Sequence, residues 1–209
     1  MEACVEGTAE AEAAERGGAA RLELCARLDL GGTTPDDALV AEVCGRVRIP
    51  VFVMVRPRGG DFVFTDREAD IMLADVARVR ELGASGIVTG ALTTGGQVDA
   101  QLLGRLVAAA GPLPVTFHRA FDLIRDDDAV RRLIECGVRR ILTSGGGARA
   151  IDAVGAIRGT VERSDGRIGI VACGGVSADH AARLVALTGV RELHARVARL
   201  AGSAAMSAM

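Results

Sequence analysis

Lysine is missing from all 209 residues, so every one of the 25 basic side chains is arginine. Tyrosine, tryptophan and asparagine are missing too. A Schiff-base aldolase, a pyridoxal-phosphate enzyme or a Walker-type phosphate loop needs a lysine amine, so these chemistries are excluded. A tyrosine general acid is excluded in the same way. Aromatic residues make up 2%, too few for the stacking platforms of single-strand binders. A net charge of −2 gives no concentrated basic face for nucleic acid. No apolar run reaches membrane-spanning length, and MEACVEG lacks the basic start and apolar core of a signal peptide. The expectation is a cytoplasmic protein with neither nucleic acid nor membrane as partner. GxGxxG is absent after the first strand pattern and GxSxG is absent throughout, which removes an NAD cofactor and a hydrolase elbow. No two of the five cysteines form a CxxC pair, so they read as free thiols.

What is present is a repeat: a short apolar strand, a polar or glycine-rich loop, a helical stretch, then glycine. Strands are expected near 1–5, 21–25, 50–56, 86–89, 114–118, 140–144, 168–172 and 192–196. Thr34 before Pro35, the capping box Thr65-x-x-Glu68, Asp99 and Ser177 mark helix starts. Gly17, Gly83, Gly111, Gly137 and Gly189 mark helix ends. Eight alternating units imply parallel strands with right-handed crossovers. The expected fold is α/β, a single (β/α)8 TIM barrel over residues 1–197, with the final helix shortened or missing and a short tail at 198–209. At 209 residues the chain is smaller than the roughly 250 usual for this fold.

Successive strand side chains point to opposite faces. On that rule Glu2, Cys4, Arg21, Glu23, Cys25, Arg56, His118, His194 and Arg196 all face the barrel interior. Buried charge is costly unless paired or used, and barrel sites form at strand C-terminal ends. Glu23, Arg56, His118 and His194 are therefore the candidate catalytic residues, with His194 also offering a ligand for a divalent metal. Arg21, Arg58, Asp61 and Arg119 are assigned to substrate binding. For Arg58 a solvated turn paired with Asp61 is an equal reading. The glycine-rich loops holding Ser144, Gly174 and Gly175 offer backbone amides to an anion. Cys4 and Cys25 end neighbouring strands. From spacing alone they read as small buried hydrophobes, while a thiolate pair there would favour Cu(I).

The motifs MEACV, RLELC, GGTTP, VRPRGGDF, VTFHRAFD, RILTSGGG and ACGGV stand in one order from Met1 to about Arg196. In this the chain resembles the CutC copper-homeostasis family. The resemblance implies a TIM barrel, a cytoplasmic location, a homodimer or homotetramer, and Cu(I) held by Cys4 and Cys25. It also implies a closing loop and helix after the eighth strand, where this chain stops, and a serine after the eighth-strand histidine. Here that stretch reads Glu192-Leu193-His194-Ala195-Arg196-Val197. An undersized barrel shielded by a partner subunit is expected. The resemblance supplies no reaction. The other functional class kept open is a lyase, isomerase or hydrolase acting on a small anionic or sugar-like substrate by His/Glu acid–base chemistry, assisted by a metal.

Overall fold

A computed structural model describes residues 1–196. Eight parallel strands close into a barrel in sequence order: β1 Glu2–Val5, β2 Arg21–Leu24, β3 Val51–Met54, β4 Gly86–Thr89, β5 Val115–Phe117, β6 Arg140–Thr143, β7 Gly169–Ala172 and β8 Glu192–Arg196. Seven helices cover it: α1 Thr8–Arg16, α2 Asp37–Arg46, α3 Asp66–Glu81, α4 Ala100–Ala110, α5 Ala129–Glu135, α6 Val154–Ser164 and α7 Ala178–Thr188. This is the (β/α)8 barrel the repeat implied. The expected tail and final helix fall at 197–209, outside the described residues.

Each strand divides its side chains as the period of two requires. Ala3, Val5, Leu22, Leu24, Val51 and Val53 face outward into the layer beneath the helices, fully or almost fully buried. The inward set includes Cys4, Cys25, Phe52, Met54 and Val88, which pack together inside the barrel. Closure pairs β1 with β8, setting Glu2 beside His194 and Cys4 beside Arg196. On the other side of β1, Glu2 sits beside Arg21 and Cys4 beside Glu23.

The helix caps follow local chemistry. Thr65 and Glu68 form the capping box, and the Asp99 carboxylate accepts from the Leu102 N–H at 3.0 Å. Ser177 stands at the start of α7, but its hydroxyl lies 2.9 Å from His180 Nδ1 and caps no backbone amide. The α2 cap differs from the expected Thr34. Pro35 keeps Thr34 extended, and Asp36 accepts from the Leu39 N–H at 2.8 Å. Thr34 is taken up elsewhere, donating to Asp75 and accepting from the Arg56 N–H. Asp36→Ala is expected to cost about 1 kcal/mol, lowering Tm by about 2–4 °C; calorimetry of the two proteins checks it.

Candidate functional site

Alternation sets which face a side chain takes, and register sets its height in the barrel. The N-terminal layer is an ion network. Arg21 Nη2 donates to Glu192 at 2.6 Å, and Arg140 Nε donates to the same carboxylate at 3.3 Å. Both guanidiniums lie over the Phe52 ring, each 5.1 Å from its centroid. Arg21 Nε also donates to Glu2, whose other oxygen meets His194 Nδ1 at 2.7 Å. Burial pushes the Glu2 carboxyl up, but His194 and Arg21 outweigh it and hold the group down to about 2. Burial pushes His194 down, and Glu23, Cys4 and Glu2 more than reverse this, leaving it well above the ordinary imidazole value. Arg21, expected to touch substrate, is instead held in this network at the end of the barrel away from the mouth.

One layer higher lie the thiols. Cys4 Sγ and Cys25 Sγ are 4.0 Å apart, both buried. Glu23 Oε1 is 3.6 Å from the first and 3.4 Å from the second. The Cys25 contact draws Cys4 down to about 5; burial opposes this, and His194 assists. The same contact, with burial, pushes Cys25 well up. The two thiols are thus shifted in opposite directions by their mutual contact. Burial, against the pull of His194 and with the push of Cys4 and Glu2, raises Glu23 to about 8. Two sets of donor atoms lie within 4.8 Å of one another: Cys4, Glu23 and Cys25, and Glu2, Glu23 and His194.

Above the thiols a cavity of about 170 Å³ opens at the C-terminal mouth, reaching from Cys4, Glu23 and His194 up to Arg119 and Arg196. His118 lines it. Its Nδ1 accepts the Ala120 N–H at 3.2 Å. Burial and the neighbouring Arg56 push it down to about 3, so the ring is neutral. Asp122, five residues from Phe117 in the VTFHRAFD motif, does not fix that ring; the Ala120 amide does. His118 Nε2 is buried and has no hydrogen-bond partner among the described residues, an arrangement that costs about 1–3 kcal/mol.

The remaining candidates hold loops. Arg56 donates to the carbonyls of Leu30, Gly32 and Gly60 and stacks over Phe62 at 4.5 Å. Its fork ties the loop after β2 to the loop after β3 and leaves the grip of a ligand to others. Arg58 pairs with Glu68 at 2.5 Å and Asp61 at 3.0 Å and stacks over Phe64. Neither Arg58 nor Asp61 lines the cavity. The anion cradle expected after β6 exists, but the chain fills it itself. Asp122 accepts from the amides of Ser144 and Gly146 and from the hydroxyls of Thr143 and Ser144. Arg119 closes the set, donating to Asp122 at 3.0 Å and to Ser144 Oγ at 2.9 Å. Gly174 has φ +92, and a Cβ there would stand 2.9 Å from the Ser144 Cβ. It and Gly175 shape the turn and lie outside the cavity lining. Of the expected residues, the structure brings Cys4, Glu23, His118, His194 and Arg119 to the cavity; Cys25 lies outside the lining, 4.0 Å from Cys4.

Residues 1–198 match the family model described as the CutC family. The chain belongs to the CutC family. It is 45% identical to the human copper homeostasis protein cutC homolog over 195 residues, covering 93% of this chain and 71% of the relative. It is 44% identical to a CutC family protein of Pasteurella multocida, covering 93% and 80%. A crystal structure of a CutC protein from Streptococcus agalactiae superposes with a TM-score of 0.88 at 34% identity, covering 94% of this chain and 97% of that one.

In this CutC barrel three contributors escaped the sequence reading. Met54 packs with both cysteines, Phe62 stacks beside His118 and Arg56, and Asp122 fills the amide cradle. Met54 was legible from its inward position beside Phe52. Phe62 lies in a loop and Asp122 in the short 3-10 turn Arg119–Leu123, where alternation says nothing.

Proposed function

We propose that this CutC protein serves copper homeostasis in the cytoplasm, as a homodimer or homotetramer, by binding Cu(I) between Cys4 and Cys25 and passing it on. The observation that carries this is the buried thiol pair. Metal–thiolate bonds of about 2.3 Å let one ion touch two sulfurs 4.0 Å apart with a bent angle. A bent pair leaves a third position, which Glu23 Oε1 faces. Soft thiolates, with the Met54 thioether packed alongside, select Cu(I) over harder cations. The lowering of Cys4 eases loss of the proton that metal binding must displace. Relatives named for copper homeostasis support the same reading.

The acid–base alternative has less support. A histidine pushed down to about 3 is far from the poise a general base needs at neutral pH. The arginines meant to hold its anion are occupied by loop carbonyls and Glu68.

The test is an anaerobic Cu(I) titration against a competing chelator. Cys4→Ala and Cys25→Ala are each expected to weaken binding by about 100-fold or more, beyond the roughly 10–100-fold that loss of a supporting residue costs. Wild-type affinity and stoichiometry in both variants would refute the proposal.

A further inference from the structure

The thiol pair is reached from the C-terminal mouth, and the way in is cationic. Cys4 lines the mouth cavity and is 4% exposed, while Cys25 is fully buried and outside the lining. An ion entering from the mouth therefore meets Cys4 first. Two arginines stand at the opening, and both line the cavity. Arg119 follows β5 with its side chain half exposed. Arg196 ends β8, exposed and beside Cys4 in the β1–β8 register. Asp122 and Ser144 engage Arg119 through Nε and Nη2, and its Nη1 makes no hydrogen bond among the described residues. The lining holds one carboxylate, Glu23, which lies 3% exposed against both thiols. His194 lines the same depth and is paired with Glu2 at 2.7 Å.

This order of charges is wrong for a bare Cu(I) ion. It would pass two fixed positive charges before meeting an anion. The walls of Leu28, Phe62 and Leu142 offer no polar group in place of its water. The same order suits Cu(I) carried as an anion. Held by two small thiolates, the ion has a single net negative charge, and a carboxylate on each thiol adds two more. The cavity volume of about 170 Å³ equals that of five or six waters at about 30 Å³ each, which suits a short carrier.

We propose that Cu(I) reaches Cys4 and Cys25 as the anionic complex of a small carboxylate-bearing thiol, drawn in by Arg119 and Arg196. The inference rests on the copper reading above and adds the form in which the metal arrives. In the exchange each protein thiol gives its proton to one departing thiolate. Two Cu–S bonds to the carrier break and two to the protein form, so copper stays Cu(I) and two free thiols leave.

Anaerobic stopped-flow absorption tests this, with metal-free protein mixed with Cu(I) complexes of three thiols. Mercaptoacetate, mercaptoethanol and mercaptoethylamine are alike in size and end in a carboxylate, a hydroxyl and an ammonium. Each loading rate is divided by the rate with dithiothreitol, an uncharged acceptor, to remove the carrier's own lability. At low ionic strength the carboxylate complex is expected to load at least about ten-fold faster than the ammonium one, with the hydroxyl between. That ratio should fall to about two-fold or less in about 1 M salt, and likewise in Arg119→Gln/Arg196→Gln protein. Arg196→Gln alone, which spares the Arg119–Asp122 contact, should lower the ratio by about three-fold. Equal relative rates for the three carriers, or a preference unchanged in both variants, overturn the inference. The copper reading fails separately: protein that takes Cu(I) from no carrier and no chelator refutes it, and the inference falls with it.

Discussion

Glu2→Gln is expected to destabilise the protein by about 3 kcal/mol. Removing one partner of a buried ion pair costs about 3–5 kcal/mol. The lower end applies because Arg21 keeps Glu192. The Gln amide preserves shape but leaves two cations facing a neutral group, with side chains 11% exposed. A fall in Tm of about 6–12 °C should follow. The effect depends on pH with a definite sign. Glu2 is held at about 2 in the fold against 4.5 ordinarily, so its stabilisation is whole above pH 4.5 and is lost as pH falls toward 2. The gap between wild type and variant should therefore close across that acid window. His194, raised in the fold, contributes fully below its ordinary 6.5 and loses its share as pH rises through its folded value. Urea melts at pH 7 and pH 3 decide the matter. A gap that is absent at pH 7, or that widens in acid, would show that the network contributes no net stability.

Gly86→Ala should cost a similar amount for a steric reason. Gly86 stands beside Phe52 in the β3–β4 register. A Cβ there would lie 2.6–2.7 Å from three atoms of the Phe52 ring. The ring is also packed against Arg21 and Arg140, whose guanidiniums each lie 5.1 Å from its centroid. Overpacking of this kind costs about 3 kcal/mol at the top of its usual range. Tm is expected to drop by about 6–12 °C. Phe52→Leu in the Gly86→Ala background should recover part of the loss, since the two changes share one contact. If Gly86→Ala melts with wild type, the Phe52 plug is looser than the geometry says.

Much of this architecture was legible beforehand. Strand positions agree to within one or two residues because short apolar runs bounded by glycine and proline leave few alternatives. The inward face was legible on β1, β2, β3, β5 and β8, since a period of two is a local property of extended backbone. Roles were less legible. Arg56 and Arg58 have the side chains an anion site requires, yet loop carbonyls and Glu68 reached them first. The TSGGG amides did bind a carboxylate, but it was Asp122 of the same chain. Pairings of this kind depend on where loops from separate units meet, and no single segment carries that information.

By itself the sequence determined that anion contacts fall to arginine and backbone amides, because there is no lysine. It also determined which strand residues look inward. The tertiary structure alone decided their heights and neighbours. Arg21 and Cys25 share one face of the second strand region, yet the first joins the ion network around Glu2 and the second a thiol 4.0 Å from Cys4. Alternation specifies a face; stagger between strands and closure of β8 on β1 specify a layer. That closure brings His194 to Glu2 across 192 positions of sequence, and with it the charge that surrounds the thiol pair.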